Sequence, residues 1–234
     1  MTVRRATDRL DAGAIADAAI AIADAEGAAA VSMRRVGAAL GVSGMALYRH
    51  VGDREDLVRR MVARVADELP HVPAYEAGWR ETLHHLATTE WTAFERHRWL
   101  VDVAVSPSGL VDATSAPETE TVLARLVAAG CSPRRAGDLF LGTAALVIGI
   151  ARVALGPSSE ASVGPTSGRT PDTAPSRPVE YAADDAGGRA PAADTLTARF
   201  RSEPFDAARG RRLLEAVLGS YLDGVAASLH QRDR

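Results

Sequence analysis

Residues 32–51 read SMRRVGAALGVSGMALYRHV, and the organisation of the chain follows from them. Two short helical segments flank the turn Gly41-Val42-Ser43. Glycine suits a left-handed backbone at such a turn, and the serine is placed to cap the helix that follows. Gly37, four residues before the turn glycine, leaves room for the two segments to cross closely. Val36, Leu40, Val42, Leu47 and Val51 are spaced to form the small core under that crossing. The pattern predicts a helix-turn-helix. Its charge agrees, because Arg34, Arg35 and Arg49 stand here with no acidic residue, in a chain of net charge −3.

The geometry of that motif implies duplex DNA as a partner. A short second helix fits a major groove about 12 Å wide with its first residues at the base edges. Ser43, Gly44, Met45 and Ala46 make that surface small and mostly apolar, suited to close approach and thymine methyl contact. Arg34 is the candidate for a bidentate guanine contact. Tyr48, Arg49, His50 and Arg54 are placed to hold phosphates and set register. The amides behind Asp53 offer a further anion site, for which the Asp53 carboxylate competes.

Working outward, Asp11 is a cap for a first helix, with Leu10 and Ile15 as a hydrophobic staple and Gly27 as its stop. Ser32 caps the second helix. The third is expected from Ser43 to about Val51, stopped by Gly52. Asp53 caps a fourth, with Leu57, Val58, Met61, Val62, Val65 and Leu69 along one stripe. Beyond Pro73 the helices lengthen. Trp79, Leu83, Leu86, Glu90, Phe94 and His97 share a face that is apolar except for a carboxylate and an imidazole. Residues 98–106 and 117–129 read as two further helices. Ser132-Pro133 opens a long one that runs to Leu155, apolar on nearly every side from Leu139 and therefore packed on more than one face. Asp206 caps a last helix with Leu214, Val217, Leu218, Tyr221, Val225 and Leu229 at three- and four-residue steps. Between them, residues 157–194 hold six prolines, four glycines and five serines, and a mobile loop is expected there. No alternating segment argues for a sheet, so the fold expected is all-α. Its domains are a helix-turn-helix domain over 1–62 and a ligand-binding and dimerisation domain over 63–234.

Composition removes other classes. The 234 residues contain 46 alanines, no lysine and a single cysteine, Cys131, which excludes an internal disulfide framework and all-cysteine metal sites. The charge balance excludes a generally polycationic protein, so contact with DNA must come from a local patch. The amino end carries Arg4, Arg5, Asp8 and Arg9 without an apolar run, and no signal peptide is expected. The strongly apolar uncharged stretch 139–151 is too short to span a bilayer. A soluble, cytoplasmic protein without membrane contact is the expectation. His84 and His85 are adjacent, so on a helix they point about 100° apart and do not form one metal site. No serine-hydrolase elbow, phosphate-binding loop, dinucleotide glycine pattern or H-x-x-x-H is present, and no catalytic residue, cofactor or metal is expected.

Residues 11–62, centred on AALGVSGMALYRHVGDREDLV, resemble the DNA-binding domain of the tetracycline-repressor (TetR) family. LGVS, LYRHV and the D-R-E-D-L run carry the resemblance together. It implies that Tyr48 and His50 contact the DNA backbone and that residues 43–46 read bases. It further implies an all-α homodimer whose second domain binds a small molecule that lowers affinity for operator DNA. The carboxy-terminal part is similar in layout only. Ala104 and Ala154 fall where the tetracycline-binding pattern requires a metal-ligating histidine and glutamate, so a tetracycline–magnesium effector is not expected.

The expected function is therefore a transcriptional regulator, a repressor, that binds a palindromic operator as a homodimer and leaves it on binding a small effector. Leu86, Glu90, Phe94, His97, Phe140 and Val147 are the candidate effector-binding residues. Glu90 also has a structural reading, as an ion pair with Arg125 or Arg152, and His97 one as a helix cap. Ile148, Leu214, Leu218, Tyr221 and Val225 are the candidate dimer contacts, in a four-helix bundle of residues 133–155 and 206–230 with their symmetry mates. A helical ligand-binding enzyme or carrier, and an activator on the same fold, are the alternatives. Effector identity and operator sequence are not readable from this chain.

Overall fold

The computed structural model describes residues 10–71, 78–104, 116–156 and 204–230. Among the described residues there are nine α-helices and no strand. They are α1 (Ala12–Glu26), α2 (Met33–Ala39), α3 (Gly44–Leu47), α4 (Arg54–Ala66), α5 (Trp79–Arg96), α6 (Trp99–Ala104), α7 (Ala116–Ala128), α8 (Pro133–Ala154) and α9 (Ala207–His230), with a 3-10 turn over Ala28–Ala30. The segment 157–194, expected as a mobile loop, lies outside the described residues. The described residues, apart from Pro204, form one compact unit. The other unit, Glu160–Pro204, is outside the described residues except for Pro204.

Helix starts follow the side chains that satisfy free backbone donors. Asp11 Oδ1 accepts from Ala14 N at 2.7 Å, Ser32 Oγ from Arg35 N at 3.2 Å and Asp53 Oδ1 from Asp56 N at 2.7 Å. Ser132 Oγ accepts from Arg135 N at 3.4 Å and Asp206 Oδ1 from Arg209 N at 2.8 Å. Each such cap contributes about 1 kcal/mol. At α5 the support comes from within the helix, where Glu81 Oε2 reaches back to Gly78 N at 3.3 Å.

α1 and α4 pack together. Ile15, Ala19 and Ile22 on one and Leu57, Met61 and Val65 on the other are buried in the core. Arg64 Nε on α4 donates to Asp17 Oδ1 on α1 at 2.9 Å. The boundary expected at residue 62 falls inside α4, which continues to Ala66 because Met61 and Val65 are both part of that buried stripe.

α8 packs against α5, α6, α7 and α9. Leu139, Thr143, Ala144, Val147, Ile148 and Ala151 are buried along it. By length and composition alone α8 would suffice to cross a membrane. The buried part of that apolar surface packs on these four helices.

Candidate nucleic-acid interface

α2 and α3 cross with their backbones almost touching. A methyl group on Gly37 would stand 2.9 Å from Gly44 N and 2.9 Å from Val42 O, nearer than carbon can approach either. Val42 N donates to Gly37 O at 2.9 Å, and Gly41 takes a positive φ of 69°, so the turn needs glycine at both places. Val36, Leu47 and Val51 are buried beneath the crossing, with Leu40 and Val42 packed against them. The expected small core is the observed one.

The opposite side of α3 faces solvent. Met45 is 76% exposed and Tyr48 48% exposed, and Ser43, Arg49 and His50 are exposed with them. Arg34 is exposed at the start of α2. Ala46 and Gly44 are half-buried, and a side chain on Gly44 would meet Met33 O at 3.2 Å and the Arg34 backbone at 3.3 Å. Gly44 thus serves the crossing, leaving Met45 as the prominent apolar projection. α3 is one turn long rather than reaching Val51, and residues 48–50 form a turn after it. Ser43 precedes α3 without a side-chain cap bond, contrary to expectation.

Two arginines near this surface are engaged within the chain. Arg35 pairs with Glu26 at the end of α1. Arg54 Nε donates to Val31 O at 3.0 Å and its Nη2 to Ala28 O at 2.9 Å, tying the start of α4 to the 3-10 turn. Arg54 is first a latch, and fewer of its donors remain for a phosphate. The anion site considered behind Asp53 is occupied in the same sense, because the Asp53 carboxylate already takes the Asp56 amide. Asp56 in turn accepts from Gly52 N and Arg60 Nε, which hold its carboxyl below the usual carboxylate range.

The second candidate region lies on α5 and α8, which pack on each other. Phe94 and Val147 are buried, while Leu86, Glu90 and Phe140 are half-buried. Glu90 Oε2 is sealed from solvent and has no hydrogen-bond partner. Burial alone pushes this carboxyl up to about 8. The ion pair considered for it is not formed: Arg125 Nη1 donates to Thr82 Oγ1 at 2.9 Å, and Arg152 pairs with Asp102. His97 has a different role from its neighbours on α5. Its Nδ1 is 2.8 Å from Asp24 Oδ1 on α1, and Trp99 Nε1 donates to that same oxygen at 2.8 Å. Among the described residues no three His, Cys, Asp or Glu side chains gather as a metal site.

Residues 15–61 match the family of bacterial regulatory proteins designated tetR. The match covers the helix-turn-helix region, which is where the chain is similar to the TetR family. A curated relative, the HTH-type transcriptional repressor DrrR1 of Streptomyces coeruleorubidus, is 41% identical over 91 residues, 38% of this chain and 33% of the relative. The chain thus matches about a third of that relative's length. Among solved structures, the Streptomyces coelicolor TetR family protein ActR in complex with (S)-DNPA is 28% identical, with a TM-score of 0.54 over 61% of this chain and 70% of that one. Mycobacterium smegmatis BioQ is similar in fold, with a TM-score of 0.62 over 93% of this chain and 99% of that one at 19% identity.

The residues expected at a dimer face are placed differently. Ile148, Leu214, Leu218 and Val225 are at most 8% exposed and lie in the chain's own core, and Tyr221 is half-buried with its hydroxyl on Leu139 O at 3.3 Å. The recurring stripe on α9 therefore faces α8 of the same chain. The large apolar side chains that α8 and α9 leave exposed among the described residues are Leu141, Val153 and Leu213. Asp24 was not singled out from the sequence, and the bond joining it to Trp99 was not foreseen. They lie 75 residues apart, and no local pattern joins them.

Proposed function

We propose that this chain is a transcriptional repressor that binds a palindromic operator as a homodimer and leaves it when a small molecule binds the helical region beyond α4. The observation that carries the reading is the exposure of Met45 and Tyr48 on a helix whose opposite side is fixed by a buried core. Large apolar and aromatic groups held in solvent on a braced single turn suit a groove and phosphates better than they suit water. Residues 1–62 would act as the reading head, with Arg34, Ser43, Met45, Ala46, Tyr48, Arg49 and His50 at the DNA.

Support for the effector comes from the solved ActR complex with (S)-DNPA and from the unpartnered carboxyl of Glu90 in this chain. Two-fold symmetry would set half-sites about one helical turn, or a multiple of it, apart. A soluble, cytoplasmic and non-catalytic protein is the corresponding expectation.

The test is selection of bound duplexes from a random pool, followed by titration of the best one at several salt concentrations. A palindromic consensus with steep salt dependence is the result expected. No enrichment, together with affinity indifferent to salt, would overturn the reading and favour a helical carrier or enzyme.

A further inference from the structure

We infer that the effector is a protonated amine on an apolar body, and that Glu90 supplies its counter-charge. The inference deepens the proposed effector site and rests on that reading.

Glu90 occupies the face of α5 that also carries Leu86 and Phe94, and α5 packs on the helix that bears Phe140 and Val147. Its Oε2 is closed to water and touches no donor. A buried carboxyl oxygen without a partner is costly, and such groups persist in a fold where something else completes them. The arginines considered as its ion-pair partners do not: Arg125 donates to Thr82, and Arg152 pairs with Asp102. The region therefore offers a carboxyl with one oxygen closed to solvent, on a helix face that also carries Leu86 and Phe94. An ammonium group matches the acid, and aromatic faces add attraction for a cation.

The proton balance follows. The empty site keeps Glu90 largely uncharged at neutral pH, because burial raises its affinity for a proton. When an ammonium ion enters, the carboxyl proton leaves to bulk solvent, and the carboxylate accepts hydrogen bonds from the ammonium. A neutral ligand would release no proton.

The experiment is isothermal titration calorimetry of the full chain at pH 7 in two buffers of different ionisation enthalpy. The probes are naphthylethylamine and its N-acetyl derivative, which share the ring body and differ in charge. The amine is expected to bind roughly tenfold more tightly than the amide, with net proton release, as befits one charge-assisted contact. Glu90→Gln should bring the amine's affinity down to that of the amide and abolish the proton release; Glu90→Leu should do the same if Gln perturbs folding, which a thermal melt reports. Equal binding of the two probes, no binding by either at millimolar concentration, or a preference that survives both substitutions would overturn the inference. Operator release is measured separately. Glu90-dependent amine binding that never displaces any selected duplex would sink the regulator reading alone. Duplex release by neutral compounds, indifferent to Glu90, would sink this inference alone.

Discussion

Asp24 on α1 and Trp99 on α6 are joined through one oxygen: Trp99 Nε1 donates to Asp24 Oδ1 at 2.8 Å, and His97 Nδ1 lies 2.8 Å from that same atom. Trp99 is fully buried, so its indole donor has no water to replace this acceptor. Asp24→Ala should cost about 1–3 kcal/mol, the usual penalty for orphaning a buried donor. Asp24→Asn, which keeps an acceptor, should cost less. Urea unfolding of the two variants checks the order.

Gly37→Ala should disrupt the crossing of α2 and α3. The atoms in the way are backbone atoms of Val42 and Gly44, which cannot rotate aside as a side chain can. Overpacking of this kind costs roughly 1–3 kcal/mol. Affinity for a selected operator should fall with it, while far-ultraviolet circular dichroism stays near that of the parent.

Arg49→Ala and Tyr48→Ala should weaken DNA binding across all sequences with little change in melting temperature, since both side chains are exposed. For Arg49 the salt dependence should lose about one unit of slope, as expected for one phosphate contact. Arg54→Ala should behave in the opposite way and lower stability, because it removes the donors that Val31 O and Ala28 O accept. Filter binding at several salt concentrations, beside thermal melts, separates the two behaviours.

Glu90 gives the folded chain a pH signature. An ordinary glutamate ionises near 4.3, whereas burial holds this one protonated up to about 8. Between those values the folded state retains a proton that the unfolded chain has released. The group's contribution is therefore fully present below about 4 and is lost as pH climbs toward 8, at up to ~1.4 kcal/mol per pH unit. Glu90→Gln should flatten that decline in urea unfolding followed from pH 5 to pH 8.

Charge on the two sides of α9 should have different consequences. Leu218→Asp places a carboxylate in the chain's own core, where Leu218 has no exposure, and should unfold it. Leu213→Asp and Leu141→Asp alter exposed positions and should spare the fold. If the proposed homodimer uses that outer face, sedimentation will show monomers with weakened operator affinity.

Local chemistry was the legible part of this chain. The caps at Asp11, Ser32, Asp53, Ser132 and Asp206 were readable because each pairs with an amide three residues on. The turn at Gly41 and the core of Val36, Leu47 and Val51 were readable for the same reason. Periodicity found the stripe through Leu214, Leu218 and Val225 but not its partner, since an apolar face toward a symmetry mate and one toward α8 have the same spacing. The Arg54 latch and the Asp24 junction depend on groups brought together only by folding. The internal pairing of Arg35 and Arg54 was not legible, because their partners come from α1, Ala28 and Val31.

The near-contact of Gly37 with Gly44 leaves α2 and α3 no slack for sliding over one another. Displacement of the reading head must be absorbed at its margins, such as the bend at Gly27, where φ is 85°. With Asp24 close to that bend and bonded to Trp99, a shift of α6 would reach the DNA face as a tilt of an undeformed wedge. In the proposed homodimer such a tilt would change the distance between the two wedges.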